Sequence, residues 1–274
     1  MRSTFRRPLP RLILIVAACS VVGCGDAASA GTITPLPLNG PFSYQLGGAY
    51  PPPAGTKIVT RDREESPARG RYSICYVNAF QTQPGELGWW QTHHRSLLLG
   101  RRGREVRDPG WPGEILLDTS TARRRAAIAR VIGRWIDGCA RKGFDAVEPD
   151  NLDSWTRSKG RLTKSGNRRL ARRLVARAHA RGLAIAQKNA AEMSASRPRL
   201  GFDFAVAESC EVYRECDVYT EAYGGNVLEV EYVQEGGAEN FDAACRARGA
   251  SISINFRDRD LTTPGDDSHV DRTC

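Results

Sequence analysis

The chain has 274 residues, a hydrophobic fraction of 41% and a formal net charge of +9. This composition excludes an intrinsically disordered chain and allows one large domain or two small ones. The positive charge alone would fit a nucleic-acid-binding protein. However, no basic stretch with interleaved aromatic residues and no reader motif occurs, so we predict no nucleic-acid partner.

The N-terminus has the pattern of an export signal. Within residues 1–23, a basic segment precedes an apolar run that is too short to span a bilayer. The sequence Val22-Gly23-Cys24 resembles the cleavage site of bacterial lipoproteins. It predicts removal of residues 1–23 and lipidation of Cys24, which would anchor the protein to a membrane. Ordinary secretion without lipidation is the alternative.

The mature chain is predicted to have a linker followed by one domain. Residues 24–40 are small, Thr-rich and Pro-rich, which is typical of a linker. Residues 41–274 form the predicted domain. Either form of export places this domain outside the cell or on the outer face of the cell membrane. The sequence does not determine the oligomeric state.

Six cysteines follow Cys24, and an exported protein permits them to form disulfides. They are Cys75, Cys139, Cys210, Cys216, Cys245 and Cys274. The even number is compatible with three disulfides, but the spacing does not determine the pairing. Cys210 and Cys216 are close enough to close a short loop. The four histidines are scattered and no HExxH pattern occurs, so we predict no cofactor and no transition-metal site.

Eight short segments are predicted as β-strands. In chain order they are residues 42–48, 57–62, 71–79, 145–151, 183–189, 202–209, 227–232 and 250–256. The link after the first strand, "AYPPPAG", is too short and Pro-rich for a helix. The link after the third strand, residues 83–114, is long enough for an elaborated loop.

A recurring unit joins the later strands. A basic amphipathic helix ends at a glycine, and a short apolar strand follows, with Gly143, Gly182 and Gly249 at the three junctions. This pattern predicts a parallel α/β fold, and eight strands predict a single (β/α)8 TIM barrel. An open doubly wound sheet is the alternative, but no Gly-rich dinucleotide-binding loop follows any strand.

Polar residues collect where the predicted strands end, and in a (β/α)8 barrel this rim holds the active site. The rim residues include Asp62, Asn78, Glu148, Asp150, Asn151, Asp153, Lys188, Asn189, Glu208, Glu229 and Glu231. Because side chains alternate along a strand, Glu148 and Asp150 share one face, as do Glu229 and Glu231. We predict that both pairs point into the barrel mouth, and that Leu228 and Val230, on the opposite face of their strand, pack on helices.

Glycoside hydrolases typically use two carboxylates that face one cleft, and here they would come from different strands. One carboxyl group protonates the leaving group, and the other is a nucleophile or base. The alternative is a Mg²⁺ or Ca²⁺ site with oxygen ligands, as in a metal-dependent esterase or phosphodiesterase barrel. The absence of accompanying histidines favours the glycosidase interpretation.

Several motifs in order resemble glycoside hydrolase family 114, the endo-α-1,4-polygalactosaminidases. They are "KGFDAVEPDNLD", "AHARGLAIAQKN", "FDFAVAESCEVYRECDVY" and "VLEVEY". The resemblance implies a (β/α)8 barrel that hydrolyses α-1,4-linked galactosamine polymers internally. It implies Asp150 as nucleophile or stabilising carboxylate and Glu208 as general acid/base. A non-catalytic glycan-binding lipoprotein on the same barrel is the competing hypothesis.

Further rim residues are predicted to contact an amino-sugar polysaccharide. They are Asp62, Asn78, Glu148, Asn151, Asp153, Trp155, Lys188, Asn189, Glu231 and Tyr232. Trp111 and Tyr44 are additional candidates for stacking on sugar rings. The chain departs from the family pattern at Ser209, where a second glutamate is usual, and this changes the charge beside Glu208.

Overall fold

The computed structural model describes residues 32–101 and 104–274. The predicted signal peptide and the predicted lipidation site Cys24 lie outside the described residues. Within the described part of the chain, no helix is both long and apolar enough to cross a membrane.

Eleven strands occur in the described ranges. They are β1 Phe42–Gln45, β2 Ile58–Asp62, β3 Tyr72–Asn78, β4 Gly100–Arg101, β5 Arg104–Glu105, β6 Ala146–Asp150, β7 Ala184–Lys188, β8 Phe204–Glu208, β9 Val227–Tyr232, β10 Ser253–Arg257 and β11 Asp271–Thr273. Strands β1, β2, β3, β6, β7, β8, β9 and β10 pair in that order, all parallel. They coincide with the eight predicted strands. The (β/α)8 barrel is therefore confirmed.

Seven α-helices accompany the strands in the same part of the chain. They are α1 Leu87–His93, α2 Ala122–Lys142, α3 Lys164–His179, α4 Arg197–Leu200, α5 Cys210–Tyr213, α6 Cys216–Tyr223 and α7 Gly237–Arg248. Thr121 caps α2 by accepting a hydrogen bond from the Arg124 N–H. Gly143 ends α2 with a φ of 88°, which a residue with a side chain rarely adopts. Gly249 follows α7 with a φ of −58°, so this helix ends at its predicted glycine without a left-handed conformation.

Two apolar layers lie on either side of the barrel wall. Alternate strand residues, including Ala146, Ala186 and Val230, fill the interior of the barrel. Their neighbours, including Val147 and Ala205, pack against the helices. Because both faces of a parallel sheet are buried, period-two alternation alone does not tell the interior face from the outer one.

The C-terminal strand β11 helps to close the barrel. It pairs antiparallel with β10, and the Asp271 carboxylate accepts hydrogen bonds from the Ser43 hydroxyl (2.6 Å) and the Tyr50 hydroxyl (2.8 Å). Ser43 lies in β1, so Asp271 bridges the first and last parallel strands. The disulfide Cys245–Cys274 then ties β11 to α7.

The remaining four described cysteines also pair. Cys75 in β3 is joined to Cys139 in α2, and Cys210 is joined to Cys216 across the loop between α5 and α6. Three disulfides therefore form, as the even number of cysteines allowed, and the short loop predicted from the Cys210–Cys216 spacing is closed.

Two segments were predicted to be irregular. The link between β1 and β2 contains no helix, and the segment after β3 is an elaborated loop with α1 and the β4–β5 hairpin, as predicted. Two residues of the predicted linker, Thr34 and Leu36, contact the barrel, however. Leu36 is buried with the barrel interior, and the Thr34 carbonyl accepts a hydrogen bond from the Tyr72 hydroxyl at 3.1 Å. This part of the chain packs on the barrel because Leu36 supplies an apolar anchor.

Candidate active site

Three neighbouring strands, β6, β7 and β8, end in charged residues and then turn sharply. The residues that follow them, Asn151, Asn189 and Ser209, have left-handed φ values of 62°, 46° and 52°. Such a conformation is unfavourable for a residue with a side chain and is often found at functional sites. The turns place the last side chain of each strand at the mouth of the barrel.

Asp150 ends β6, and its carboxylate is fixed by two donors. The Tyr76 hydroxyl donates to Oδ2 at 2.8 Å, and the Asn151 N–H donates to Oδ1 at 2.7 Å. The side chain keeps 18% of its surface exposed. The carboxylate is therefore held in one orientation while a ligand in the mouth can still reach it.

Glu208 ends β8 and is held in a similar way. The Tyr232 hydroxyl donates to Oε1 at 2.6 Å, and the Asn189 amide donates to Oε2 at 2.9 Å. Asn189 also accepts a hydrogen bond from the Glu208 N–H at 2.8 Å, so it contacts both the backbone and the carboxylate. The side chain of Glu208 is 25% exposed.

Lys188 ends β7, between the strands that carry Asp150 and Glu208. Its side chain is only 1% exposed, and Nζ lies 2.9 Å from Glu148 Oε1 and 3.1 Å from Glu208 Oε2. Nζ also lies 2.8 Å from the Tyr44 hydroxyl and 3.7 Å from Asp150 Oδ1. An ammonium group has three donors, and Tyr44, Glu148 and Glu208 engage all of them. Lys188 thus contacts the neighbouring carboxylates rather than the open mouth.

The contacts of Lys188 limit the separation of the two exposed carboxylates. Because Nζ lies 3.7 Å from Asp150 Oδ1 and 3.1 Å from Glu208 Oε2, these oxygens are at most the sum of those distances, 6.8 Å, apart. The prediction that Glu148 shares a face with Asp150 is also confirmed. Glu148 is fully buried beneath Asp150, where the Tyr44 hydroxyl donates to its Oε1 at 2.5 Å.

Burial and charge set the ionisation of this cluster. Burial alone would lower the pKa of Lys188, but Asp150, Glu148 and Glu208 outweigh it and hold that pKa well above its usual value. Burial alone would raise the pKa of Glu208. The Lys188 charge and the hydrogen bonds from Tyr232 and Asn189 outweigh it, so the pKa lies below its usual value.

Glu148 behaves differently from Glu208. Burial raises its pKa above the usual value, although Lys188 and the Tyr44 hydroxyl oppose this change. Burial likewise raises the pKa of Tyr44, Tyr76 and Tyr232 well above that of a free phenol. The three hydroxyls therefore remain protonated and can donate to the carboxylates.

Other predicted contact residues lie in the rim, where protein groups engage them. Asp62 accepts hydrogen bonds from Gln83 and from the backbone of Glu64. Asn78 is buried, donates to Glu114 at 3.0 Å and accepts from Asn151 at 2.9 Å.

Asp153 forms an ion pair with Arg157 at 2.6 Å. Arg157 also donates to Asn151 and Asp108, which joins the loop after β6 to the elaborated loop after β3. Trp155 packs partly buried against apolar clusters of the outer layer. These contacts give Asp153 and Trp155 a role in fixing the rim.

The prediction that Glu229 and Glu231 point into the barrel mouth is wrong. In β9 the interior face carries Leu228, Val230 and Tyr232, and the two glutamates lie on the helix side. Arg248 from α7 binds Glu229 with two hydrogen bonds, of 2.9 and 3.0 Å. The strand can bury carboxylates on this side because a helix supplies the guanidinium.

Glu231 lies beside Glu229 in this buried group. Its Oε1 accepts a hydrogen bond from the Glu211 N–H, and its Oε2 has no partner among the described residues. The sulfurs of Cys210 and Cys216 are also nearby, but a disulfide joins them, so they do not offer free thiolates to a metal ion. Burial, with the charges of Glu229 and Glu211, raises the pKa of Glu231 to about 8.

This shift predicts a pH-dependent stability. A carboxyl group whose pKa rises on folding binds a proton as the chain folds, so stability falls as the pH rises from about 4.5 to 8. Glu231→Gln keeps an acceptor for Glu211 and needs no proton. We expect it to raise the free energy of unfolding by about 1–3 kcal/mol at pH 8 and to change it little at pH 5.

Urea unfolding of Glu231→Gln at both pH values, with the disulfides intact, measures this effect. Glu239→Gln, on the exposed face of α7, is the matched control. An equal stabilisation at pH 5 and pH 8, or a loss of stability at pH 8, would show that Glu231 does not titrate as described.

Two residues outside the predicted site, Tyr76 and Glu114, also contribute to the mouth. Tyr76, which orients Asp150, lies two residues before Asn78 in β3, so strand alternation already placed it on the interior face. Glu114 lies at the far end of the elaborated loop, where Gln81 and Asn78 donate to its carboxylate. Burial raises the pKa of Glu114 to about 7. No local sequence signal indicates that this loop returns to β3.

Comparison with known proteins identifies the family of this chain. The sequence profile of glycoside-hydrolase family GH114 matches residues 25–274. No curated protein matches the chain.

Two solved structures share the barrel. Ega3 from Aspergillus fumigatus, in complex with galactosamine, is 24% identical with a TM-score of 0.70, over 91% of this chain and 100% of that one. The glycoside hydrolase domain of PelA from Pseudomonas aeruginosa is 15% identical with a TM-score of 0.59, over 82% and 97%. At these identities the structures show the same fold. Because the family profile matches residues 25–274, which include all of the described residues, this protein belongs to glycoside-hydrolase family GH114.

Proposed function

We propose that the protein is an exported endo-hydrolase of α-1,4-linked galactosamine-containing polysaccharide. The observation that carries the proposal is the pair Asp150 and Glu208, two partly exposed carboxylates in the barrel mouth whose nearest measured oxygens are at most 6.8 Å apart. Three carboxylates surround the single Lys188 ammonium, so the site carries a negative surplus. Such a site attracts the protonated amine of a galactosamine unit. The galactosamine complex of the similar barrel of Ega3 supports the same substrate class.

Asp150 is the nucleophile in the proposed reaction. Its carboxylate attacks the anomeric carbon, and the bond from that carbon to the glycosidic oxygen breaks. Glu208 transfers a proton to the departing oxygen. Glu208, now a carboxylate, then removes a proton from water, which attacks the anomeric carbon and releases Asp150. Tyr76 and the Asn151 N–H hold Asp150 in place in both steps.

The carboxylate separation favours retention of the anomeric configuration. Retaining enzymes place their carboxyl groups about 5–5.5 Å apart, whereas inverting enzymes need about 6.5–9.5 Å to admit a water. The two oxygens that face Lys188, Asp150 Oδ1 and Glu208 Oε2, are at most 6.8 Å apart, and this limit lies at the lower edge of the inverting range. Proton NMR of the first products is therefore expected to show the α-anomer. The β-anomer as first product would contradict the role of Asp150 as nucleophile.

The ionisation of Glu208 has a consequence for the pH profile. A general acid must hold a proton, whereas Lys188, Tyr232 and Asn189 favour the Glu208 carboxylate. Activity should fall as the pH rises through the pKa of Glu208. The alkaline limb of kcat/KM is thus expected on the acid side of neutrality.

Export and anchoring belong to the same proposal. The three disulfides suit an oxidising compartment. A signal peptide over residues 1–23 and a lipid on Cys24 would hold the domain on the outer face of the cell membrane. Cys24→Ser is expected to abolish incorporation of labelled fatty acid. Unchanged labelling in this variant would contradict lipidation at Cys24.

The release of new reducing ends from an α-1,4-galactosamine polymer tests the proposed activity. A parallel reaction with a chelator separates it from a metal-dependent esterase or phosphodiesterase, which would lose activity. We expect reducing ends to appear at the same rate with and without the chelator. Cleavage of ester bonds only, or full inhibition by chelation, would favour the metal-dependent alternative.

A further inference from the structure

A series of contacts crosses the barrel mouth above Glu208. The Ser209 hydroxyl, one residue after Glu208, donates to Glu235 Oε2 at 2.6 Å. Glu235 Oε1 forms an ion pair with Arg259, whose guanidinium lies 5.5 Å from the centre of the Trp111 ring. The four residues come from the loops after β8, β9, β10 and β3. The series therefore joins loops from opposite sides of the mouth.

Hydrogen bonds hold the segments that carry Trp111 and Glu235. Asp108 accepts hydrogen bonds from the Gly110 and Trp111 N–H groups at 2.8 and 3.3 Å, and its other oxygen accepts from Arg157 at 2.6 Å. Asp108 is buried, so the turn that carries Trp111 is anchored. The Glu235 N–H donates to the backbone carbonyl of Tyr232, the residue whose hydroxyl orients Glu208.

Trp111 and Arg259 are nevertheless open to solvent. The Trp111 side chain is among the most exposed large apolar side chains in the described chain, at 45%. The Arg259 side chain is also exposed, while Glu235 is half-buried. An exposed ion pair contributes little to stability, about 0–1 kcal/mol. A competing cation can therefore displace the guanidinium at small cost.

The position of Arg259 has the chemistry of an amino-sugar site. An aromatic face binds the apolar face of a sugar ring and attracts a cation. A carboxylate beside it binds a protonated amine. In this structure the guanidinium of Arg259 makes both contacts, one with the Trp111 ring and one with the Glu235 carboxylate.

We propose that Trp111 and Glu235 form an outer subsite for a protonated galactosamine unit, and that Arg259 occupies this subsite when no polymer is bound. Ser209 orients the Glu235 carboxylate. The subsite rests on the proposed function, because its ligand is a unit of the same cationic polymer. An N-acetylated unit carries no charge to exchange for the guanidinium, so the subsite selects de-N-acetylated polymer.

Calorimetric binding to Asp150→Asn protein tests this inference, with de-N-acetylated and N-acetylated α-1,4-galactosamine oligomers of one length. Arg259→Ala is expected to bind the cationic oligomer about two- to fivefold more tightly, because the resident competitor is lost. Its affinity for the acetylated oligomer should rise less, because that oligomer gains access to Trp111 but has no charge to pair with Glu235. Arg246→Ala removes the same charge from the last turn of α7 and should change neither affinity.

The partners of Arg259 give a second test. Trp111→Ala should weaken binding of both oligomers, and Glu235→Gln should weaken only the cationic one. In Glu235→Gln protein, Arg259→Ala should no longer tighten binding. If Arg259→Ala weakens or leaves unchanged the binding of the cationic oligomer, the inference is overturned. If Asp150→Asn protein binds neither oligomer, the proposed function itself fails.

Discussion

Replacing Asp150 by Asn is expected to lower kcat on the galactosamine polymer about 10⁴-fold, because an amide cannot form the ester with the anomeric carbon. Glu208→Gln is expected to lower kcat about 10²- to 10⁴-fold, because the leaving oxygen loses its proton donor. Both substitutions are close to isosteric. The hydrogen bonds from Tyr76 to Asp150 and from Tyr232 to Glu208 can persist.

The two roles separate with a substrate that needs no protonation. With an α-galactosaminyl fluoride, Glu208→Gln should release a burst of fluoride and accumulate a glycosyl ester. The ester forms readily, but the water that breaks it has lost its base. Intact-mass measurement should locate the added sugar on Asp150. Asp150→Asn should give neither burst nor adduct.

Two results would contradict these assignments. Retained activity in either variant on the polymer would remove that residue from the reaction. An adduct on Glu208 in Asp150→Asn protein would reverse the roles. Circular dichroism and the melting temperature of each variant control for loss of the fold.

Replacing Lys188 by Met is expected to move the alkaline limb of the kcat/KM profile upward by about 1–3 pH units, because the cation beside Glu208 is lost. A loss of about 10²-fold at the optimum should accompany the shift, since Lys188 no longer positions Asp150 and Glu208. Glu148→Gln should move the limb the other way, by about half a unit. In that variant only Asp150 and Glu208 remain as charged partners of Lys188, so the cation lowers the pKa of Glu208 further.

Tyr44→Phe is the matched control for this effect. It removes the hydroxyl that bonds Glu148 and Lys188 but changes no charge, so its alkaline limb should stay in place. Because Lys188→Met leaves the buried Glu148 without its cation, the double variant Lys188→Met/Glu148→Gln provides a more stable form. If the alkaline limb moves in the same direction in Lys188→Met and in Glu148→Gln, Lys188 and Glu148 do not set the pKa of Glu208.

The sequence predicted the strands and the positions of Asp150 and Glu208 well. Both residues end strands, and in a parallel barrel all strand ends meet at one rim. This rule needs no knowledge of packing. The same rule placed Lys188 and Asn189 beside them at the rim.

The orientation of β9 could not be predicted in the same way. Both faces of the strand are buried, so alternation offers two equivalent assignments, and the prediction that the carboxylates face the open mouth is the wrong one of the two. The deciding contact is Arg248 on α7, which pairs with Glu229 on the outer side. The contact of Arg259 with Trp111 is a second example. It joins loops that are 148 positions apart, and no local pattern predicts it.

Mass spectrometry of a digest of α-1,4-galactosamine polymer distinguishes internal hydrolysis from binding alone. We expect the wild-type protein to release a ladder of short oligomers from internal bonds, whereas Asp150→Asn protein binds the polymer and releases none. Wild-type protein that binds the polymer and leaves it intact would contradict the account. That result would show a glycan-binding protein on a glycosidase barrel.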